Sequence, residues 1–287
     1  MTIKHDEAAV TQRAVPGPAL YAVTTLPDGA PKAIVGLLHG YADHAARYAH
    51  VMDAWAEKGI ATVAIDMRGH GRAAGPRGYC ARFDEYLDDA SELARLVADK
   101  GHGAPAFLFG HSFGGLVAAS SVLASPGAWK GVVLSSPYFG LALEVPGAKL
   151  VAAKIASRLV PRLALPTGIR GRDVTHDPVR ASAYESDPLV FKNATARWFT
   201  ETVRAQKSAF ARAPSFALPL LLVAAGADPV AKTADARRFF DAVGSTDKTW
   251  DERKGLYHET LNEPEWPEIA ATMASWILDH ASSMKRS

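Results

Sequence analysis

Cysteine is scarce in this chain: Cys80 is the single cysteine among 287 residues. One cysteine excludes an intrachain disulfide and any metal site built from several cysteines, so the sequence does not require an oxidising compartment. The histidines lack the His-Glu-X-X-His spacing of zinc hydrolases, and the chain has neither a dinucleotide-binding glycine fingerprint nor a phosphate-binding loop. We therefore expect no metal ion and no redox cofactor.

An excess of either charge is also missing. Lys and Arg total 32 against 30 for Asp and Glu, a net charge of +2, and no long basic run occurs. The sequence therefore does not predict nucleic-acid binding. The N-terminus has no apolar signal region, and the uncharged residues 102–129 contain Gly, Pro and Ser that favour a buried strand and helix over a membrane span. We expect a cytoplasmic location, and the oligomeric state stays open.

The chain does contain a short apolar run, residues 106–109, followed at once by Gly110-His-Ser112-Phe-Gly114. The Gly-X-Ser-X-Gly pattern is typical of a nucleophile elbow, a tight strand-to-helix turn that exposes a serine hydroxyl above a sheet. Glycines suit so sharp a bend because side chains would collide there. Ordinary turns and helix caps also use such a pentapeptide, so its interpretation depends on whether an acid and a histidine occur later in the chain.

Apolar runs of strand length alternate with helical stripes on both sides of this motif. Strands are predicted at residues 19–25, 33–39, 61–67, 106–109, 131–135, 218–225 and 249–253, and helices at 48–59, 83–101, 233–243 and 264–280. Residues 1–17 are predicted to be a loose lead-in, and the turn at 27–31 to join the first two strands as a hairpin. The alternation favours an α/β fold with a mostly parallel central sheet flanked by helices.

The alternation stops at Pro137. From there to about Pro214 the sequence predicts no strand, only helical stretches such as 147–165 and 194–211, broken by prolines. We interpret this segment as an inserted helical cap. The predicted organisation is a first part of the core over residues 1–136, the cap over 137–214 and a second part of the core over 215–287.

Asp228 is the candidate acid. It comes just past the apolar strand at 218–225, and open α/β sheets collect their functional groups at that edge. Asp241 and Asp247 compete with it, but the first lies late on a helix and the second in a turn. A turn aspartate before Pro229 is the alternative interpretation of Asp228.

The candidate base is His258. Of the ten histidines, only His258 and His280 follow Asp228. His258 lies in a loop, where a base can reach both nucleophile and leaving group, whereas His280 lies near the end of the last helix. The chain order Ser112, Asp228, His258 is that of α/β-hydrolases. In this scheme His258 takes the proton of Ser112 and Asp228 orients the imidazole.

Two backbone N–H groups are candidate oxyanion donors. Phe113 follows the nucleophile directly, and Tyr41 follows His39-Gly40, a pair placed just beyond an early strand, where this architecture takes its second donor. Taken alone, the pair fits an ordinary strand-to-helix connection equally well. His111, inside the elbow, is predicted to be structural.

Further short motifs are spread along the chain. They are His39-Gly40, Asp43-His44, Arg47-Tyr48, Asp66-Met-Arg-Gly-His-Gly-Arg72, Gly110-His-Ser-Phe-Gly-Gly115, Asp187-Pro-Leu-Val190, Gly226-Ala-Asp228, Tyr257-His-Glu259 and Asn262-Glu263. Together they resemble the monoacylglycerol lipase and lysophospholipase family of serine hydrolases. The resemblance implies the α/β-hydrolase fold, hydrolysis of single-chain acyl esters and an apolar acyl tunnel under the cap. It also implies the triad and oxyanion donors named above, and we add Asp43 and Arg47 as candidate substrate-binding residues.

Four positions depart from the family pattern and concern the head group of the substrate. Ala73 replaces a frequent Ser, Asp43 replaces Glu, Tyr41 is bulkier than usual, and Leu261 replaces a histidine that helps to hold glycerol in monoacylglycerol lipases. An acyl thioesterase or a small-ester carboxylesterase uses the same triad and stays an alternative. A non-catalytic binding protein of this fold would be expected to lack a triad member, and none is missing.

The cap segment 147–165 combines apolar and basic side chains at helical spacing. The apolar members are Leu150, Val151, Ile155, Leu159 and Val160, and the basic members are Lys154, Arg158 and Arg162. The ordinary interpretation is a cap helix packed on the domain through its apolar stripe. The alternative is a segment that touches a lipid surface, which would give the protein a peripheral membrane contact.

Overall fold

The computed structural model describes residues 3–127, 129–142 and 147–283, and its central feature is an eight-stranded sheet. Its strands are β1 (Lys4–Val10), β2 (Leu20–Leu26), β3 (Ala33–Leu38), β4 (Ile60–Asp66), β5 (Ala106–His111), β6 (Trp129–Ser135), β9 (Leu220–Ala225) and β10 (Lys248–Arg253). Their spatial order is β1-β2-β4-β3-β5-β6-β9-β10. From β4 to β10 in this order the strands run parallel, while β1 and β2 are antiparallel to their neighbours. The α/β-hydrolase fold class is confirmed.

Helices cover both faces of the sheet. They are α1 (Ala49–Glu57), α2 (Asp84–Gly101), α3 (Phe113–Ala124), α8 (Thr233–Ala242) and α9 (Trp266–Ser283). Between β6 and β9 lie α4 (Gly147–Leu159), β7 (Ala164–Pro166), α5 (Gly171–Val174), α6 (Pro178–Ser186), β8 (Asn193–Thr195) and α7 (Ala196–Arg212). We call this segment between β6 and β9 the cap. None of the helices described is both long enough and apolar enough to cross a bilayer.

Two apolar layers hold the helices to the sheet. On one face, Trp55 of α1 and Met273 of α9 pack against alternate strand residues such as Leu37 and Phe109. On the other face, α2, α3 and α8 pack against the intervening residues, such as Leu108. Parallel strands that are covered on both faces need continuous apolar sequence. This requirement explains the apolar runs that predicted the strands.

The predicted hairpin between the first two strands is wrong. β4 lies between β2 and β3, antiparallel to β2 and parallel to β3. The turn at residues 27–31 does reverse the chain, but it spans two strand spacings of about 4.8 Å each instead of one. A turn motif specifies a reversal and does not exclude insertion of a later strand.

The predicted loose lead-in is also wrong, because β1 pairs with β2 along seven residues. Only Val10 of this edge strand is buried. Its other side chains are exposed, so the apolar alternation that marks a half-buried strand is missing from the sequence.

The cap departs from prediction in two respects. It contains a short antiparallel pair, β7 and β8, where no strand was expected, and three residues per strand are too few for a recognisable pattern. The apolar stripe of α4 is not packed on the domain: Val151 and Ile155 are 56% and 54% exposed, and Leu159 is 76% exposed. The side chain of Leu150 lies outside the described residues. Helical periodicity reveals two faces of a helix but not what covers them.

Candidate active site

Ser112 lies in a strained turn between β5 and α3. Its backbone has φ 51° and ψ −117°, which a non-glycine residue adopts at a cost of about 1–3 kcal/mol. A Cβ on Gly114 would collide with the carbonyl oxygens of Leu38 and His39, so glycine lets the turn close against the end of β3. Hydrogen bonds offset the strain: the Ser112 N–H donates to Ser135 O at 2.9 Å. The predicted elbow is present in the structure.

His258 connects this serine to Asp228. His258 Nε2 lies 2.8 Å from Ser112 Oγ, and His258 Nδ1 lies 2.7 Å from Asp228 Oδ2. The other carboxylate oxygen of Asp228 accepts the backbone N–H groups of Val230 and Ala231 at 2.8 and 2.9 Å. Because a carboxylate only accepts, Nδ1 carries the proton and Nε2 is left to accept the hydroxyl proton of Ser112.

The two imidazoles of the site differ in basicity. Burial disfavours the charged form of His258, but the Asp228 carboxylate outweighs it and raises the pKa of His258 above its ordinary value. The ring of His111 lies 4.9 Å from that of His258 between centroids. Burial, together with the nearby His258, lowers the pKa of His111 to about 4. His111 therefore stays neutral at the pH where His258 titrates, which suits the structural role predicted for it.

The two predicted oxyanion donors flank Ser112. Phe113 is the first residue of α3, where backbone N–H groups have no partner within the helix. Gly40 brings the other loop close, since a Cβ built on it would lie 3.6 Å from Cβ of Ser112. Among the described residues, the N–H groups of Tyr41 and Phe113 donate to no backbone acceptor. Both remain available for a developing negative charge.

The side chain of Tyr41 joins the core to the cap. Its ring stacks on Trp198 of α7, with 3.6 Å between centroids. Its hydroxyl donates to the carbonyl oxygens of Asn193 and Gly78 at 3.0 and 3.3 Å. The ring of Phe113 lies 5.2 Å from Trp198. Tyr41, Phe113 and Trp198 therefore form one aromatic cluster that joins the core to the cap.

Asp43 and Arg47, predicted to bind substrate, are engaged with other residues of the chain. The guanidinium of Arg47 donates to both oxygens of Glu259 at 2.9 and 2.7 Å and to Asp43 at 2.9 Å. Tyr48 donates its hydroxyl to the other oxygen of Asp43 at 2.9 Å. Burial alone would raise the pKa of Asp43, but the Arg47 guanidinium outweighs it and holds that pKa below its usual range. These contacts give no support to a substrate-binding role, because they join both residues to each other and, through Arg47, to the residue after His258.

Sequence reasoning gave no role to the two carboxylates that follow His258. Glu259 pairs with Arg47, and Glu263 is fully buried and accepts the N–H of Tyr257 at 2.6 Å. Their position in the same short loop as the candidate base is the sequence feature that would have indicated a role for them. Buried carboxylates beside a catalytic group usually hold it in place or tune its charge.

The competing acids and base lie away from Ser112. His280 Nε2 contacts Asp247 at 3.1 Å, beside the start of β9, where the backbone of Asp247 accepts the N–H of Leu220. Asp241 pairs with Arg237 on the exposed side of α8. In the described ranges, no three His, Cys, Asp or Glu side chains gather in a way that would hold a metal ion.

The fold and the site together define the class. Ser112, Asp228 and His258 follow β5, β9 and β10, so they meet at the carboxyl edge of a mostly parallel sheet, next to a helical cap. This is the architecture of an α/β-hydrolase with a serine, histidine and aspartate triad.

The chain belongs to the family described as serine aminopeptidase, S33, whose model matches residues 29–265. A monoacylglycerol lipase of Mycolicibacterium smegmatis is 32% identical over 255 residues, which cover 88% of this chain and 91% of that protein. Phospholipase YtpA of Bacillus subtilis is 31% identical over 241 residues, 83% of this chain and 92% of the relative. The crystal structure of Paleococcus ferrophilus monoacylglycerol lipase matches with a TM-score of 0.81 and 29% identity, over 91% of this chain and 99% of that one. The resemblance found in the short motifs is confirmed.

Proposed function

We propose that this protein is a serine hydrolase that cleaves carboxylic esters of single-chain lipids, of the monoacylglycerol or lysophospholipid type. The observation that carries the proposal is the unbroken hydrogen-bond chain from Ser112 Oγ through His258 to Asp228, at 2.8 and 2.7 Å. The monoacylglycerol lipase and phospholipase among the relatives support the substrate class.

The contacts of His258 account for each proton transfer in the reaction. His258 Nε2 takes the proton of Ser112 Oγ as the oxygen attacks the ester carbonyl, and the backbone N–H groups of Tyr41 and Phe113 bind the oxyanion. The imidazolium, stabilised by Asp228, then gives its proton to the leaving alcohol. A water molecule then attacks the acyl group on Ser112, and His258 Nε2 accepts its proton and passes it to Ser112 Oγ. This step releases the fatty acid and restores the serine.

The charges near the triad favour an ester over a peptide with a free amino terminus. An aminopeptidase must bind the ammonium group of its substrate, and a free carboxylate suits that task. Among the described residues, Glu259 and Asp43 are the carboxylates besides Asp228 that raise the pKa of His258 most, and Arg47 pairs with both. The aromatic cluster of Tyr41, Phe113 and Trp198, which begins at the residue after Ser112, suits an acyl chain better than a charged group.

A substrate panel tests the proposal. Monoacylglycerols of increasing acyl length, a lysophospholipid, an acyl thioester and an aminoacyl anilide are compared at equal concentration. We expect the monoacyl esters to react fastest. Their kcat/KM should rise from short to medium acyl chains, because each buried methylene can lower the free energy of the bound transition state by up to about 0.8 kcal/mol. Cleavage of the aminoacyl anilide without ester hydrolysis would refute the proposal.

We also propose that the cap touches a lipid surface. Exposed apolar side chains continue from α4 into the segment after it, where Val160, Leu163 and Leu165 are 54%, 46% and 62% exposed. Lys154, Arg158 and Arg162 are exposed beside them. An apolar stripe flanked by basic residues is the pattern of an interfacial helix, which lies in the plane of the membrane.

Co-sedimentation with anionic vesicles tests the contact. We expect binding that added salt weakens, because exposed charges are screened. Lys154→Glu with Arg158→Glu should abolish binding, and Ile155→Ser with Leu159→Ser should weaken it even at low salt. Lys58→Glu with Lys130→Glu is the matched control, since it makes the same charge change at exposed positions at the other end of the sheet. Equal binding by all four proteins would exclude the cap as the contact.

A further inference from the structure

Glu263 is a buried carboxylate with four hydrogen-bond donors. Its Oε1 accepts the backbone N–H of Tyr257 at 2.6 Å and lies 2.9 Å from His176 Nδ1. Its Oε2 accepts the backbone N–H of His176 at 2.7 Å and, at 3.1 Å, shares the hydroxyl proton of Thr175 with the carbonyl oxygen of Asn262. Glu263 has no exposed surface. The carboxylate thus joins two parts of the chain that lie more than eighty residues apart in sequence.

Those two parts are the loop of the candidate base and the base of the cap. Tyr257 immediately precedes His258, whereas Thr175 and His176 lie between α5 and α6 in the cap. The rings of His176 and Tyr257 also stack, with 3.8 Å between centroids. The residue before His258 is therefore fixed to the cap through both its backbone and its ring.

The residue after His258 is fixed to the same cap segment. The backbone N–H of Glu259 donates to Val174 O at 2.8 Å. The hydroxyl of Thr175 also lies 2.8 Å from the carbonyl oxygen of Asn262 in the same loop. His258 is thus held on both sides by residues 174–176, while its own ring nitrogens point to Asp228 and Ser112.

We propose that Glu263 is a positioning residue for the reaction: it fastens the His258 loop to residues 174–176 of the cap and so sets the distance from His258 Nε2 to Ser112 Oγ. The inference rests on the proposed serine-hydrolase function. A misplacement of about 1 Å can cost about 10²-fold in rate, so a loop without regular structure needs such fixed points. A buried carboxylate that accepts hydrogen bonds from four donor groups is held rigidly, because leaving any of these donors unpaired costs free energy.

Glu263→Gln breaks the arrangement with little change of shape. Each carboxylate oxygen accepts one backbone N–H, from Tyr257 or from His176, and a glutamine can present its oxygen to only one of them. We expect kcat on a short-chain soluble ester to fall by about 10²-fold, with KM nearly unchanged. Glu265→Gln makes the same chemical change at an exposed position two residues away and should leave kcat unchanged.

A spectroscopic measurement separates positioning from a purely structural role. The proton between His258 Nδ1 and Asp228 should give a downfield NMR resonance that requires no substrate, to be identified by its loss in His258→Ala. In Glu263→Gln we expect this resonance to shift or broaden while circular dichroism and melting stay cooperative. A folded Glu263→Gln protein with wild-type kcat and an unchanged resonance would overturn the inference.

Thr175→Val decides the matter if Glu263→Gln fails to fold. It removes the hydroxyl that Glu263 shares with Asn262 O and keeps the carboxylate, and we expect about a fivefold loss of kcat. Unchanged kcat and an unchanged resonance in that variant would overturn the inference. A wild-type protein that hydrolyses none of the esters would instead refute the proposed function, so the two failures are distinguishable.

Discussion

Two aspartate and histidine pairs lie at opposite ends of β9. Asp228 and His258 meet at its carboxyl end at 2.7 Å, with side chains 2% and 6% exposed. Asp247 and His280 meet beside its amino end at 3.1 Å, with side chains 57% and 18% exposed. The second nitrogen of His258 faces Ser112, whereas that of His280 contacts the carbonyl of Trp276. Burial and a third partner that can give up a proton, the Ser112 hydroxyl, distinguish the candidate catalytic pair from the surface pair, whose third partner is a carbonyl oxygen.

Removing the Ser112 hydroxyl, the third partner of the buried pair, should have the largest effect on activity. Ser112→Ala should lower kcat for ester hydrolysis by about 10⁶, and His258→Ala by a similar factor, because triad members act as a unit. Initial rates on a monoacyl ester, with folding checked by circular dichroism, measure this. A folded Ser112→Ala protein that keeps more than a few per cent of the activity would contradict the role of Ser112.

Exchanging the acids compares the two pairs directly. Asp228→Asn should lower kcat by about 10⁴, since the amide no longer holds the productive imidazole tautomer. Asp247→Asn makes the identical chemical change in the surface pair and should leave kcat within about twofold, as is usual for exposed sites. Equal losses in the two variants would show that the carboxyl-end pair has no special role.

The pH profile sharpens the same comparison. Because the pKa of His258 is raised and the base must be neutral, kcat/KM should rise with pH through an apparent pKa above about 6.5. Residual activity of Asp228→Asn should show this acid limb at lower pH, since the carboxylate that favours the imidazolium is gone. His280→Ala should leave the limb in place. An acid limb that moves in His280→Ala and stays in Asp228→Asn would reverse the assignment.

The smallest expected effect is on stability. Breaking the surface pair with His280→Ala should change the free energy of unfolding by no more than about 1 kcal/mol, because contacts between side chains near the surface gain little over their contacts with water. Urea denaturation of wild type and variant measures the difference. A loss of several kcal/mol would show that the pair is more than a surface contact.

Local chemistry made much of this protein predictable from sequence. The turn around Ser112 demands glycines, and parallel buried strands demand apolar runs, so the elbow and most strands were visible without tertiary structure. The candidate acid and base were found because functional groups follow strands of such a sheet in a known chain order. The structure brings Ser112, Asp228 and His258 within hydrogen-bond distance, as that reasoning expected.

Other features depend on contacts between distant parts of the chain. The insertion of β4 between β2 and β3, the exposed edge strand β1 and the short cap strands carry little local pattern. The same holds for the partners of Arg47 and Glu263, since Arg47 meets Glu259 across 212 positions of sequence.

The sequence alone therefore determined most strands and helices of the core and which side chains are chemically suited to the site. The tertiary structure decided which of them meet, whether the apolar face of α4 is covered, and which donors the buried carboxylates near His258 accept. The physical reason is that propensity and periodicity act over a few residues, whereas pairing and burial depend on the packing of the whole chain.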